Sequence, residues 1–208
     1  MNLNFTKKII CIITLLTSSN LFAKKWSFDA FLNDEIIGQH TFIYEDHKTL
    51  SQANFKFEYF LMDFIYQHES IETWDGDCLK SIKSNTDDDG DLYAVKGHLS
   101  LEGFLVITNN NTTKLPSCIM TFAYGNPKIL KQKKLMNAQN GDYLDVDIQF
   151  ISQEDYMLKG KNIKANLWQV KGKSKSGDLL IHLWYDENMQ WIGLKSSTPI
   201  GDMHYKLR

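Results

Sequence analysis

Apolar and polar side chains alternate along this chain with a period of two, the spacing of residues that share one face of a β-strand. Trp26, Phe28, Ala30 and Leu32 fall on one face, and Asn33-Asp34 then turns the chain. Residues 36–44 return as the second arm of a hairpin, with Gly38 as the expected bulge. Residues 51–59 set Ala53, Phe55, Phe57 and Tyr59 against polar neighbours, and residues 64–74 form a long strand ended by Asp75-Gly76-Asp77. Further strands are predicted over 78–86, 143–152, 156–160, 165–171, 179–186, 191–196 and 203–207, with one or two more within 92–107. The run Asp87 to Asp91 reads as a hairpin turn, because Asp and Gly tolerate the backbone such turns demand. Residues 109–113 read as a polar loop, and residues 128–137 as one short helix with Ile129, Leu130, Leu135 and Met136 on its apolar face. The pattern therefore predicts an all-β single domain: a strongly curved antiparallel sheet or open barrel with at most one or two short helices.

The N-terminus departs from that pattern. Lys7 and Lys8 precede an apolar run over 9–16, then a polar stretch, then Leu21-Phe22-Ala23, which is the layout of a cleavable secretory signal. Residues 1–23 are read as that signal and 24–208 as one exported domain that works outside the cytoplasm. The apolar run is shorter than a bilayer requires, so no membrane span is expected after cleavage. Losing Lys7 and Lys8 leaves 21 Lys and Arg against 25 Asp and Glu, a net charge of −4. A mildly acidic domain lacks the electrostatic footprint of a nucleic-acid partner. Cys78 and Cys118 remain after cleavage; they are either disulfide-bonded or two separate buried thiols.

Candidate chemistry is sparse. Tyr66, His68 and Glu72 share strand parity and project together, but His68 and Glu72 stand about 13 Å apart along an ideal strand. They are polar groups orienting a ligand at a cavity mouth, or a hydrogen-bonded polar row. No nucleophile–base spacing appears, so no catalytic residue is assigned. The start of the 87–91 run resembles a calcium loop, yet the position that needs a bidentate glutamate holds His98. The scattered histidines give no zinc spacing, and neither a metal nor a cofactor is expected. Trp184 and Trp191 flank a turn at 187–189 and are expected to meet across it. Aromatic residues make up 12% of the chain. Phe57, Tyr66, Tyr124 and Trp184 are the candidates to line an apolar pocket.

Several segments carry a resemblance. They are Trp26-x-Phe28-x-Ala30 with Ile37-Gly38-Gln39-His40; Tyr66-x-His68-x-x-x-Glu72-x-Trp74 with Cys78-Leu79; and Phe122-Ala123-Tyr124-x-Asn126-Pro127-x-Ile129-Leu130. Leu135-x-Asn137-Ala138-Gln139-x-Gly141, Leu183-Trp184-Tyr185-Asp186, Trp191-Ile192-Gly193-Leu194 and Tyr205-x-Leu207 complete the set. Together they resemble a domain of unknown function found in proteobacterial periplasmic proteins. That group is similar in character to exported proteins with the curved sheet of lipoprotein carriers. The resemblance adds Trp74 and Asn126 to the candidate ligand contacts, and it leads one to expect a second large aromatic where Gly125 stands. It implies the curved-sheet fold and a periplasmic or secreted place in a Gram-negative envelope. The aromatic-rich all-β pattern, the export signal and the missing catalytic signature point to a binding or carrier domain for an apolar or lipid-like ligand held on the concave face. An envelope enzyme built on Tyr66, His68 and Glu72, and a structural assembly partner with an exposed apolar patch, are the alternatives.

Overall fold

The computed structural model describes residues 23–59, 61–108, 111–175 and 177–208. The segment read as a signal lies outside these residues, apart from Ala23. Fourteen antiparallel strands form one sheet. The first eight are β1 (Lys24–Leu32), β2 (Glu35–Glu45), β3 (Lys48–Tyr59), β4 (Met62–Asp75), β5 (Cys78–Asp88), β6 (Asp91–Ser100), β7 (Gly103–Thr108) and β8 (Asn111–Leu115). A 3-10 turn (Pro127–Lys131) follows, then β9 (Lys134–Met136), β10 (Tyr143–Leu158), β11 (Lys161–Ser174), β12 (Gly177–Tyr185), β13 (Trp191–Thr198) and β14 (Gly201–Leu207).

The strand order is β8-β7-β6-β5-β4-β3-β2-β1-β14-β13-β12-β11-β10-β9. The first and last strands thus meet in the middle of the sheet, where Phe28 pairs with Leu207 and the Arg208 N–H reaches the Ser27 carbonyl. Both edges of the sheet come from the middle of the chain.

The alternation expected from the sequence appears as burial. In β1, Phe28, Ala30 and Leu32 face inward; in β3, Ala53 and Phe55; in β12, Ile181, Leu183 and Tyr185. These inward faces merge into one core around Phe28, Phe42, Trp191 and Tyr205, and a smaller one around Leu79, Ile82, Val95 and Phe104. Gly38 sits at the expected bulge, where register shifts opposite Ala30 and Phe31. Its φ is +152°, and a Cβ there would stand 1.9 Å from the Asn54 carbonyl oxygen, so only glycine fits.

Residues 116–142, between β8 and β10, run across the inner face. The Leu79 N–H bonds the Ile119 carbonyl, the Met136 N–H bonds the Met120 carbonyl, and Phe122 N–H returns to Met136. Ile119, Met120, Ile129, Leu135 and Met136 are all buried. This crossing segment is pinned by a Cys78–Cys118 disulfide whose Cα atoms are 4.7 Å apart, which settles the alternatives left open by the sequence.

Three expectations need correction. The helix over 128–137 is instead a 3-10 turn followed by β9, because the segment is tied to β10 and to residues 120–122 through backbone bonds that a helix would consume internally. The polar loop over 109–113 includes the start of β8, which Thr112 and Thr113 extend by pairing with Ile107 and Val106. The strands expected over 143–152 and 156–160 are one strand, β10, kinked where register shifts between Phe150 and Ser152.

The disulfide closes a separation of 40 residues, which in the chain-entropy model stabilises by about 4 kcal/mol. A Cys78→Ala/Cys118→Ala variant is expected to lose about that much in urea unfolding. Stability unchanged from wild type would show that the crossing segment holds without its bridge.

Candidate functional site

The inner face of the sheet carries an uncommon number of polar side chains. His68, Ser70 and Glu72 from β4, Thr49 and Ser51 from β3, and Ser84 and Thr86 from β5 are all buried. The strand alternation that buries Phe55 also buries these groups, so each needs a partner. His68 Nδ1 lies 2.8 Å from Thr86 Oγ1. His40 bridges Tyr205 Oη at 3.1 Å and Ser51 Oγ at 2.7 Å while stacking on Phe42. Trp74 Nε1 donates to Thr49 Oγ1 at 3.1 Å. Gln139, from the crossing segment, donates through Nε2 to the Tyr66 hydroxyl. Tyr185 Oη donates to the Tyr124 carbonyl at 2.8 Å.

Burial sets the protonation of this interior. It lowers the His40 imidazole to about 3, with His68 adding a smaller push, and the His68 imidazole to about 4. It raises the Glu72 carboxyl to about 7, against a smaller opposing pull from Thr121, whose hydroxyl faces it without a hydrogen bond of ordinary geometry. The phenols of Tyr66 and Tyr124 are pushed above their ordinary range for the same reason.

Five of the eight candidates come together on the inner face. Tyr66 stacks on Phe55, and His68, Glu72, Trp74 and Tyr124 occupy the same core. Register along β4 is unbroken from Met62 to Thr73, and the bulge falls beyond Glu72. His68 and Glu72 therefore keep the strand spacing of about 13 Å and do not act as a pair. A sixth, Phe57, also packs against that core, near one end of the sheet, where its ring stacks on Phe64 with centroids 5.4 Å apart. Asn126 is an N-cap: its Oδ1 accepts from Lys128 N–H at 3.0 Å and its Nδ2 donates to Asp77. Trp184 lies on the opposite face, since Leu183 and Tyr185 beside it point inward; its Nε1 donates to Glu154 Oε1 at 2.7 Å and its ring packs on Tyr156. The expected Trp184–Trp191 contact does not form, because register places Tyr185 opposite Trp191 and Gly193 opposite Trp184. The position at Gly125, where a large aromatic was expected, is filled from across the fold: a Cβ there would stand 2.0 Å from the Tyr44 hydroxyl.

The concave face, expected to hold a ligand, is thus covered by the chain's own crossing segment. An apolar groove stays open on the outer face. Ile43, Leu50 and Ile71 face one another in direct register across β2, β3 and β4. They floor a depression of about 250 Å³ whose polar side is Thr41, Gln52, Glu69 and Asn85. The same lateral row continues to Lys25 on one side and to Lys83 and Lys96 on the other. Sequence reasoning missed it because it concentrated on aromatic residues of the inward parity. The signal was present in the outward parity, where Ile43, Leu50 and Ile71 interrupt polar neighbours. Among the described residues no cluster of His, Cys, Asp and Glu is placed to hold a metal, and no helix is long and apolar enough to cross a membrane.

The interior titrations give a testable pH profile. Between about 4 and 6.5 the unfolded chain protonates His40 and His68 while the folded chain does not, so these two groups make stability fall as pH drops through that window. Glu72 acts in the other direction: between 4.5 and about 7 the folded chain holds the proton, so its contribution is lost as pH rises. Glu72→Gln is expected to stabilise the fold at pH 8 by up to about 3 kcal/mol and to have little effect at pH 5. Thermal unfolding at both pH values checks this; equal destabilisation at each would show an ionised, paired carboxylate.

Comparison with known proteins agrees with this architecture. A crystal structure of a β-barrel-like protein of a domain of unknown function, DUF1849, from Brucella abortus superposes with a TM-score of 0.64. The match covers 90% of this chain and 96% of that one at 12% sequence identity, so it speaks to the fold alone. No curated protein matches the sequence. The family model of DUF6134, a domain of unknown function, matches residues 28–208. With a likeness that spans nearly the whole described domain, the chain belongs to the DUF6134 family.

Proposed function

We propose that this chain is an exported, non-catalytic binding domain of the cell envelope that takes an amphipathic ligand with an acyl-like apolar part. The observation that carries the reading is the outer groove floored by Ile43, Leu50 and Ile71, an apolar row in direct register across three strands. Neighbouring strands lie about 4.8 Å apart, so the row extends roughly 10 Å and lysines extend the line at both ends. An apolar chain laid across the strands loses water against this floor. Its acidic head, carboxylate or phosphate, would reach Lys83 at one end or Lys25 at the other.

A groove of about 250 Å³ is small against the usual range of ligand pockets. It suits one acyl chain or part of a larger lipid. Export is supported by the layout of residues 1–23, and the Cys78–Cys118 bridge is of a kind that persists in oxidising compartments. The interior gives no support to catalysis: its titratable groups are spread along the strands and held by hydroxyl, amide and carbonyl partners.

The test uses a fluorescent polyene fatty acid titrated into the purified domain. Saturable binding is expected, weakened at least about tenfold by Ile71→Asp, which sets a charge in the apolar floor. Lys83→Glu should weaken it severalfold. No saturable binding, or equal binding by all three proteins, would overturn the proposal.

A further inference from the structure

The β3–β4 hairpin reaches past both of its neighbours. β2 pairs with β3 only as far as Phe55, and β5 pairs with β4 only back to Tyr66, yet β3 and β4 pair with each other on to Tyr59 and Met62. The end of the hairpin is therefore a two-stranded ribbon, latched on one side where the backbone of Ile65 bonds Asp89. Its surface is unusually apolar: Leu61 is 92% exposed, Met62 57% and Ile65 44%. Leu61 holds a φ of +64°, a left-handed conformation that is strained for a bulky residue and is ordinarily given to Gly or Asn. An exposed leucine at such a position gains nothing for the fold.

Beside the ribbon lies a depression of about 330 Å³. Leu32, Ile37, Phe57 and Ile200 supply apolar surface to it. Its rim carries Asp34, Glu35 and Glu58. On the ribbon's other flank, the β5–β6 turn brings Asp87, Asp88, Asp89 and Asp91 together. Partial burial and these aspartates together raise the Asp88 carboxyl, a sign of crowded negative charge. The ribbon's one lysine, Lys56, is already paired with Asp63 at 3.2 Å.

We propose that this end of the sheet is a docking site for a basic segment of another protein, which seats an apolar side chain in the depression and pairs its Lys or Arg residues with the acidic rim. Charge chooses this occupant. An anionic bilayer surface would be repelled by the same carboxylates, and a second copy of this chain meeting it through the same end would bring like charge to like. Beyond Phe55 the β3 edge of the ribbon runs outside the β2 ladder, which further suits an extended segment adding to it as a strand. The site is separate from the outer groove and does not depend on it.

The probe is a labelled heptapeptide of alternating Lys and Leu, followed by fluorescence anisotropy against the whole mature domain. Binding is expected to fall steeply with salt. It should weaken about fivefold in Glu35→Gln/Glu58→Gln, in line with the modest strength of exposed ion pairs, and about fivefold in Leu61→Ser/Met62→Ser. Ile71→Asp should leave it unchanged, and a Glu-Leu peptide should not bind. Because the substituted side chains are at the surface, an unchanged circular dichroism spectrum shows that the variants fold. Equal binding by wild type and both double variants would overturn the proposal, since it would mean attraction to net charge alone. Absence of binding, or tip-dependent binding to phosphatidylglycerol vesicles instead of the peptide, would overturn it as well.

Discussion

A sheet that curls without closing leaves one concave apolar face, and the rest of this structure depends on how that face is kept from water. Hydrophobic burial supplies the main driving force for folding, and an uncovered face of this size would forfeit it. The chain solves the problem internally. The connection between the two sheet edges crosses the hollow, contributing Met120, Ile129 and Leu135 to the core. Because the crossing segment is irregular, its backbone groups must be satisfied individually. That is why Leu79, Met136 and Phe122 bond across it, and why side chains such as Ser84, Thr86 and Tyr185 reach its carbonyls.

The buried polar row follows from the same arrangement. An inner face covered by lipid-like surface alone would be apolar throughout. Here the cover is peptide, and Tyr66 bonds Gln139 while Thr86 reaches both His68 and the Gln139 carbonyl. Burial then keeps His40 and His68 neutral and favours the protonated form of Glu72. The groups that looked most like chemistry in the sequence serve to fasten the segment that closes the core. The two proposed binding sites lie instead on the outer surfaces, in the groove over β2–β4 and at the end of the β3–β4 hairpin. The two differ in charge, lysines flanking the groove and carboxylates surrounding the hairpin, so the two proposed ligands would not compete for one surface.

The sequence by itself determined the all-β class, most strand positions, the Gly38 bulge and the inward set of side chains. These are local consequences of a two-residue period and of turn chemistry. It could not separate the helix expected at 128–137 from the 3-10 turn and β9, because Ile129, Leu130, Leu135 and Met136 satisfy a helical spacing as well as burial in a crossing segment. It also could not tell which strands become neighbours. Only the tertiary structure decided that β1 would pair with β14, that Cys78 would meet Cys118, and that Trp184 would stand on the outer face while Trp191 is buried. The physical reason is that pairing between distant segments is set by total burial and by hydrogen-bond satisfaction over the whole sheet. Neither quantity is visible in a window of ten residues. The outer groove shows the limit most plainly: Ile43, Leu50 and Ile71 are unremarkable one at a time, and form one apolar floor only when register sets them side by side.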